Sequence, residues 1–339
     1  MSTFSRRYQT YILLFAVVLG GGVLYYVSLQ NDTIYSDSDP AYNREFWNQK
    51  IEQQGGERSY ELFKEYNAKA PEDRTHFAAH VFGEVLFGHL GTNGIIVCDS
   101  SFGFGCYHGF SARAISIGGT ETIRELDSIC VDIYGPLGTG CQHGIGHGIL
   151  EYTGYQDIGK ALALCTLTTQ LVPLLGCTSG IFMELKTPSS ETENPERLQA
   201  LQRFDPAHPY DPCPSVPGEY QASCYYEIGK WFRTQATMEY QQLCENLLGS
   251  ARHHCFLGIG SASVYSKNYS VAETLAECAQ FANDDEFSCK AGASWAFVST
   301  PEYKQEARRL CSYSDPGRTS ECLMRADLTQ GLDPHLYEI

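Results

Sequence analysis

The chain lacks the short signatures on which familiar chemistries are built. It has no His-Glu-x-x-His helix, no Gly-x-Ser-x-Gly turn, no phosphate-binding loop, no Gly-x-Gly-x-x-Gly turn and no Cys-x-x-Cys-His haem attachment. No Cys-x-x-Cys of any kind occurs, which argues against a clustered zinc–thiolate site. Basic residues are scarce: 24 Lys and Arg stand against 40 Asp and Glu, for a formal charge of −16. Nucleic acid is therefore excluded as an expected partner, since phosphate binding draws on clustered cations. Low-complexity tracts are also missing, and with 43% hydrophobic residues the 339-residue chain can bury a sizeable core.

What is abundant is cysteine. Fourteen of them, an even number, are unusual for a protein held in a reducing cytosol and point to an oxidising compartment. The N-terminus supplies a route there. Arg6 and Arg7 precede an uncharged, almost wholly apolar stretch at residues 11–29, long enough to cross a bilayer core of roughly 30 Å as a helix. The acidic Asp32, Asp37 and Asp39 follow, so the positive-inside rule places residues 1–10 in the cytoplasm. A cleaved signal peptide is the alternative, but no small-residue cleavage site follows the apolar run. The expectation is a single-pass signal-anchor at residues 11–29, a juxtamembrane linker at 30–58, a helical repeat domain at 59–330 and a tail at 331–339. The main domain is then periplasmic or extracellular and carries 22 basic against 40 acidic residues.

The cysteines count out a repeat. They alternate short gaps of 8 to 12 positions with longer ones, and the first member of each pair recurs after 32, 35, 48, 31, 34 and 33 residues. A period near 33 is the length of one helix–turn–helix unit in a solenoid, and the one long step coincides with a proline-rich insertion at residues 187–212. Gly109, Gly144, Gly180, Gly258 and Gly292 each stand three residues after the second cysteine of a pair. Glycine inside a helix costs about 1 kcal/mol relative to alanine, so its return at one phase predicts close helix–helix approach. Carried backwards, the register puts Asn67 and Ala78 where a pair would stand, predicting an unstapled hairpin first. Pairing within each repeat, Cys98 with Cys106 through Cys311 with Cys322, would tie one helix end to the next helix start. Metal–thiolate binding is the alternative, and the regular spacing disfavours it.

The fold expected is all-α: an α-solenoid of about eight disulfide-stapled hairpins behind one transmembrane helix. The Cys98–Cys106 spacing and the glycine-bearing second helix resemble those of the cysteine-rich Sel1-like repeat proteins, a branch of the tetratricopeptide-like solenoids in which each hairpin carries one cystine. The resemblance spans roughly residues 60–328. It implies a binding or scaffolding role toward a protein or peptide and transfers no catalytic residue.

Histidine is the second concentrated resource. Six of the ten, at positions 76, 80, 89, 108, 143 and 147, fall in one 72-residue window. His80, His108 and His143 share a register position, two residues after the real or virtual second cysteine, so neighbouring units would stack them as a ladder. His76, His80 and Glu84 follow at i, i+4 spacing, as do His143, His147 and Glu151. Imidazole and carboxylate converging from adjacent helices suit Zn²⁺, Cu²⁺ or non-haem iron. The metal-ligand candidates are therefore His76, His80, Glu84, His108, His143, His147 and Glu151. The alternative is a hydrogen-bonded groove without metal. His89 is expected at a helix end, and His253 and His254 in a solvated turn. The functional expectation is a membrane-anchored, extracytoplasmic helical-repeat binding or scaffold protein with a His-lined metal site. A metal-dependent extracytoplasmic enzyme or a metal carrier is its rival.

Overall fold

The computed structural model describes residues 40–70, 72–169, 174–186, 205, 207–234, 240–298 and 303–311. The expected anchor at 11–29, most of the 187–212 insertion, Cys322 and the C-terminal tail lie outside them. Two units are distinguished, and the described residues of the first, Met1–Asn43, include a short 3₁₀ turn at Pro40–Tyr42. The second begins at Arg44, and everything below concerns it. Its described residues form helices and turns with no strand, and no described helix is long and apolar enough to cross a membrane.

The helices are α1 (Arg44–Gln54), α2 (Gly56–Asn67), α3 (Glu72–Leu90), α4 (Gly105–Tyr134), α5 (Thr139–Thr153), α6 (Ile158–Leu164) and α7 (Cys177–Lys186). After the insertion come α8 (Gly218–Thr234), α9 (Tyr240–Glu245), α10 (Gly249–Ser266), α11 (Val271–Cys278), α12 (Asp284–Val298) and α13 (Lys304–Cys311). One series packs in sequence order, each member on the next: α3, α4, α5, α7, α8, α10, α12 and α13. These helices are rich in buried small residues, as α10 shows: Gly258, Gly260, Ser261, Ala262 and Ser263 are all covered. Helix α4 carries Cys106 and Cys130, from two successive disulfide pairs, and Gly119 at φ +67° breaks it into a buried first half and a more exposed second half. Left-handed φ is strained for residues with a Cβ, so glycine marks the bend.

Six disulfides join the expected partners: Cys98–Cys106, Cys130–Cys141, Cys165–Cys177, Cys213–Cys224, Cys244–Cys255 and Cys278–Cys289. Their Cα atoms lie 5.4–5.8 Å apart, the ordinary span of a cystine. The seventh expected pair, Cys311–Cys322, falls partly outside the described residues.

The recurrent glycines act as the sequence predicts. A Cβ added to Gly109 would lie 2.0 Å from the carbonyl oxygen of His80, and one on Gly180 would lie 2.0 Å from that of His143. Gly258 and Gly292 meet Tyr226 and Leu257 in the same manner. Hydrogen in place of a side chain lets adjacent helix backbones touch, which fixes the rung spacing of everything mounted on them.

One boundary is corrected. Residues 44–58 are not linker: Trp47 and Ile51 of α1, one turn apart, are buried, and Trp47 packs edge-on to Phe63 and Phe82 with ring centroids 5.2 and 5.3 Å away. Each fully buried aromatic contributes roughly 2–3 kcal/mol, enough to hold a helix that is otherwise polar. The unstapled α2–α3 hairpin thus receives α1 and an aromatic cluster where later units have a cystine.

Candidate metal centre

Five of the seven predicted ligands meet. His76 and His80 come from α3, His108 from α4, and His143 and His147 from α5. Their donor atoms form two groups of three, His76/His80/His108 and His108/His143/His147, each within 4.8 Å, so His108 belongs to both. Ring centroids of His80 and His108 are 5.1 Å apart and those of His108 and His143 5.3 Å, the ladder expected from their common register position. His108 also stacks on His147 at 3.9 Å.

The two glutamates do not join them. Each i, i+4 step rotates the helix by about 40°, so two steps carry a side chain about 80° off the starting face. Glu84 is drawn to Arg44, its Oε2 2.6 Å from Nη1. Glu151 is half-buried and outside both donor groups. His89 lies exposed on α3 against Asn48. His253 and His254 are not in a solvated turn but inside α10, where His254 is buried and bonds the Ser250 carbonyl.

Carboxylates enter instead from residues that the histidine window did not include. Glu184 of α7 is fully buried, with Oε2 2.8 Å from His147 Nδ1, and it also accepts from the Tyr155 hydroxyl. His143 Nδ1 lies 3.1 Å from Ser179 Oγ, whose hydroxyl hydrogen goes to the buried Glu227 of α8. Lys230 closes the chain on Glu227 at 3.0 Å. Both were legible in principle. Glu184 is a lone charge inside an apolar run, and Glu227 occupies the position, three after Cys224, where five other units carry glycine.

These contacts decide the tautomers. A carboxylate can only accept, so His147 Nδ1 carries the hydrogen and Nε2 presents its lone pair. Ser179 has spent its one hydrogen on Glu227, so it accepts from His143 Nδ1 and leaves His143 Nε2 a lone pair as well. His76 Nδ1 donates to the Phe102 carbonyl oxygen at 2.7 Å, freeing its Nε2. That carbonyl is delivered by a turn in which Phe102, Gly103 and Phe104 all have φ near +60°, at a cost of about 1 kcal/mol or more for each phenylalanine.

As a result His143 Nε2 and His147 Nε2 face one another at 3.1 Å, lone pair toward lone pair. His76 Nε2 and His80 Nε2 are 3.0 Å apart, and His108 Nδ1 is 3.2 Å from the latter. Donors about 2.0–2.1 Å from one ion stand roughly 3.0–3.4 Å from each other, so these spacings are those of neighbouring ligand positions. His108 Nε2 is buried and unpartnered. Burial pushes His80, His108 and His143 well below the ordinary histidine value, and neighbouring histidines push the same way. His76 is lowered by burial too, against the opposing pull of the Phe102 carbonyl. Neutral imidazole is the form that binds a metal.

No protein-family model, curated protein or solved structure matches the chain.

Proposed function

We propose that this protein binds a transition-metal ion in the five-histidine cluster of a disulfide-stapled α-solenoid, tethered to a membrane on its exported side. The observation that carries the reading is the His143–His147 contact: two buried lone pairs at 3.1 Å, each fixed in orientation by a carboxylate, directly for His147 and through Ser179 for His143. Two facing lone pairs repel unless a cation sits between them. A metal-binding histidine whose second nitrogen donates to a carboxylate is a recurrent arrangement, because it fixes the ring and raises its basicity.

The solenoid reading is supported by the period near 33 and by the sequential packing of the glycine-bearing helices. It also accords with the Sel1-like resemblance. Export is supported by the disulfides and by the apolar stretch at 11–29. The absence of a standard catalytic motif favours holding or carrying the metal over turning over a substrate.

The test is elemental analysis of the full chain, made in an oxidising compartment and purified without added metal. At least about one equivalent of a first-row metal is expected, and it should be lost in the double variant His143→Ala, His147→Ala. A metal-free protein that takes up no Zn²⁺, Co²⁺ or copper in titration overturns the reading.

A further inference from the structure

The histidine ladder does not stop at His143 and His147. In the repeat register, the position of His80, His108 and His143 is taken in the next unit by Ser179, and the position of His147 is taken by Met183. Met183 Sδ lies 3.3 Å from His143 Nε2. This contact cannot be an ordinary hydrogen bond when that nitrogen carries a lone pair, as Ser179 and Glu227 dictate. Two imidazole lone pairs from α5 and a thioether sulfur from α7 therefore meet around His143 Nε2. The edges measured, 3.1 Å between nitrogens and 3.3 Å from nitrogen to sulfur, are those of a small ion with bonds of about 2.0–2.3 Å.

Resting on the metal-binding reading above, we infer that His143, His147 and Met183 form a copper(I) site. Thioether is a soft, weakly basic donor that hard divalent ions ignore and copper(I) accepts. Charge points the same way. The charged groups bonded to the pair, directly or through the Ser179 hydroxyl, are two carboxylates, Glu184 and Glu227, against one ammonium, Lys230. A univalent ion balances that surplus of one negative charge in a buried setting, whereas a divalent ion overshoots it. Lys230 Nζ approaches Met183 Sδ at 3.8 Å and helps hold the thioether in place. His108, stacked flat on His147, brings a further ring nitrogen within 4.8 Å of the His143 and His147 donors, so the thioether joins a site that imidazole alone does not complete on the α7 side.

The experiment uses the oxidised full chain, copper(I) supplied as its acetonitrile complex under nitrogen without thiol reductants, and a chromophoric copper(I) chelator as competitor. Zn²⁺ is titrated in parallel. Met183→Leu, which conserves volume, is expected to weaken copper(I) at least tenfold and to leave Zn²⁺ affinity within about twofold. X-ray absorption of the copper(I) protein is expected to show one sulfur neighbour at about 2.3 Å that is lost in the variant. Equal copper(I) affinity in wild type and variant overturns the inference, as does a sulfur-free spectrum, while Zn²⁺ binding that depends on His143 and His147 leaves the metal-binding function standing. Binding of neither ion overturns both.

Discussion

Glu184 and His147 meet at 2.8 Å with both side chains sealed from solvent, and they come from different helices of the packed series, α7 and α5. A buried carboxylate is tolerated only when its oxygens are occupied, and here one accepts from the imidazole and the other from Tyr155. The pair therefore couples the orientation of one histidine to the position of the neighbouring helix.

Replacing Glu184 by Gln removes the charge while keeping shape. Metal affinity, measured by chelator competition, is expected to fall about 10–100-fold, with helix content by circular dichroism unchanged. An affinity equal to wild type would show that the imidazole needs no anchoring.

Glu84→Gln should behave differently. Its carboxylate engages Arg44 at a partly exposed position, where an ion pair is worth about 0–1 kcal/mol. Metal affinity is expected to stay within twofold and the thermal midpoint to move by a few degrees at most.

Gly109→Ala and Gly180→Ala each place a methyl where the carbonyl oxygen of His80 or His143 already stands. Helix propensity alone would favour alanine by about 1 kcal/mol, but the clash is with backbone and cannot be relieved by a rotamer change. Urea denaturation should show a net loss of about 1–3 kcal/mol, and metal affinity should fall with it because the rungs are forced apart.

Removing one staple, Cys130 and Cys141 both to Ser, should cost about 3 kcal/mol, since the pair closes a loop of 11 positions. Neighbouring units keep their own disulfides, so the loss should appear as local hydrogen exchange around α4 and α5 before global unfolding.

Acid should weaken the fold through Glu277. Burial raises its carboxyl, but the Arg233 hydrogen bonds and charge outweigh this, with Ser263 and Tyr240 adding to them, and the group ends below its ordinary 4.5. The native state therefore binds fewer protons than the unfolded chain. Stability from this pair is full above about 4.5 and is lost as pH falls through the depressed native value. Denaturation midpoints between pH 6 and 3 should show a shallower fall in Glu277→Gln than in wild type.

Much of this was legible in the sequence, and for identifiable reasons. Disulfide partners followed from alternating gaps, and helix contact followed from glycines at one phase, because both recur with the repeat. The histidine ladder was legible for the same reason: His80, His108 and His143 share a register. The contacts of Ser179, Met183, Glu184 and Glu227 span 36–48 residues of sequence, beyond the reach of i, i+4 spacing, so only register position or an isolated charge marks these residues in the sequence. Spacing of i, i+4 puts Glu84 and Glu151 on the histidine face only to a first approximation, since the drift of the helix turns the third member away. Helix α1 resembles linker in the sequence because its apolar residues are only Phe46, Trp47 and Ile51, of which the last two are buried, among eight polar ones.

The local span of the disulfides bears on how the chain matures. Each of the six joins cysteines 8–12 positions apart, and each is between one cysteine and the next in the sequence. A polypeptide that emerges end first from a ribosome or a pore presents its cysteines in that same order. The first partner available to the leading cysteine of each pair is then its native one, and simple sequential oxidation gives the correct pattern. Pairing of this kind is reachable without reshuffling, one hairpin at a time, as the chain lengthens.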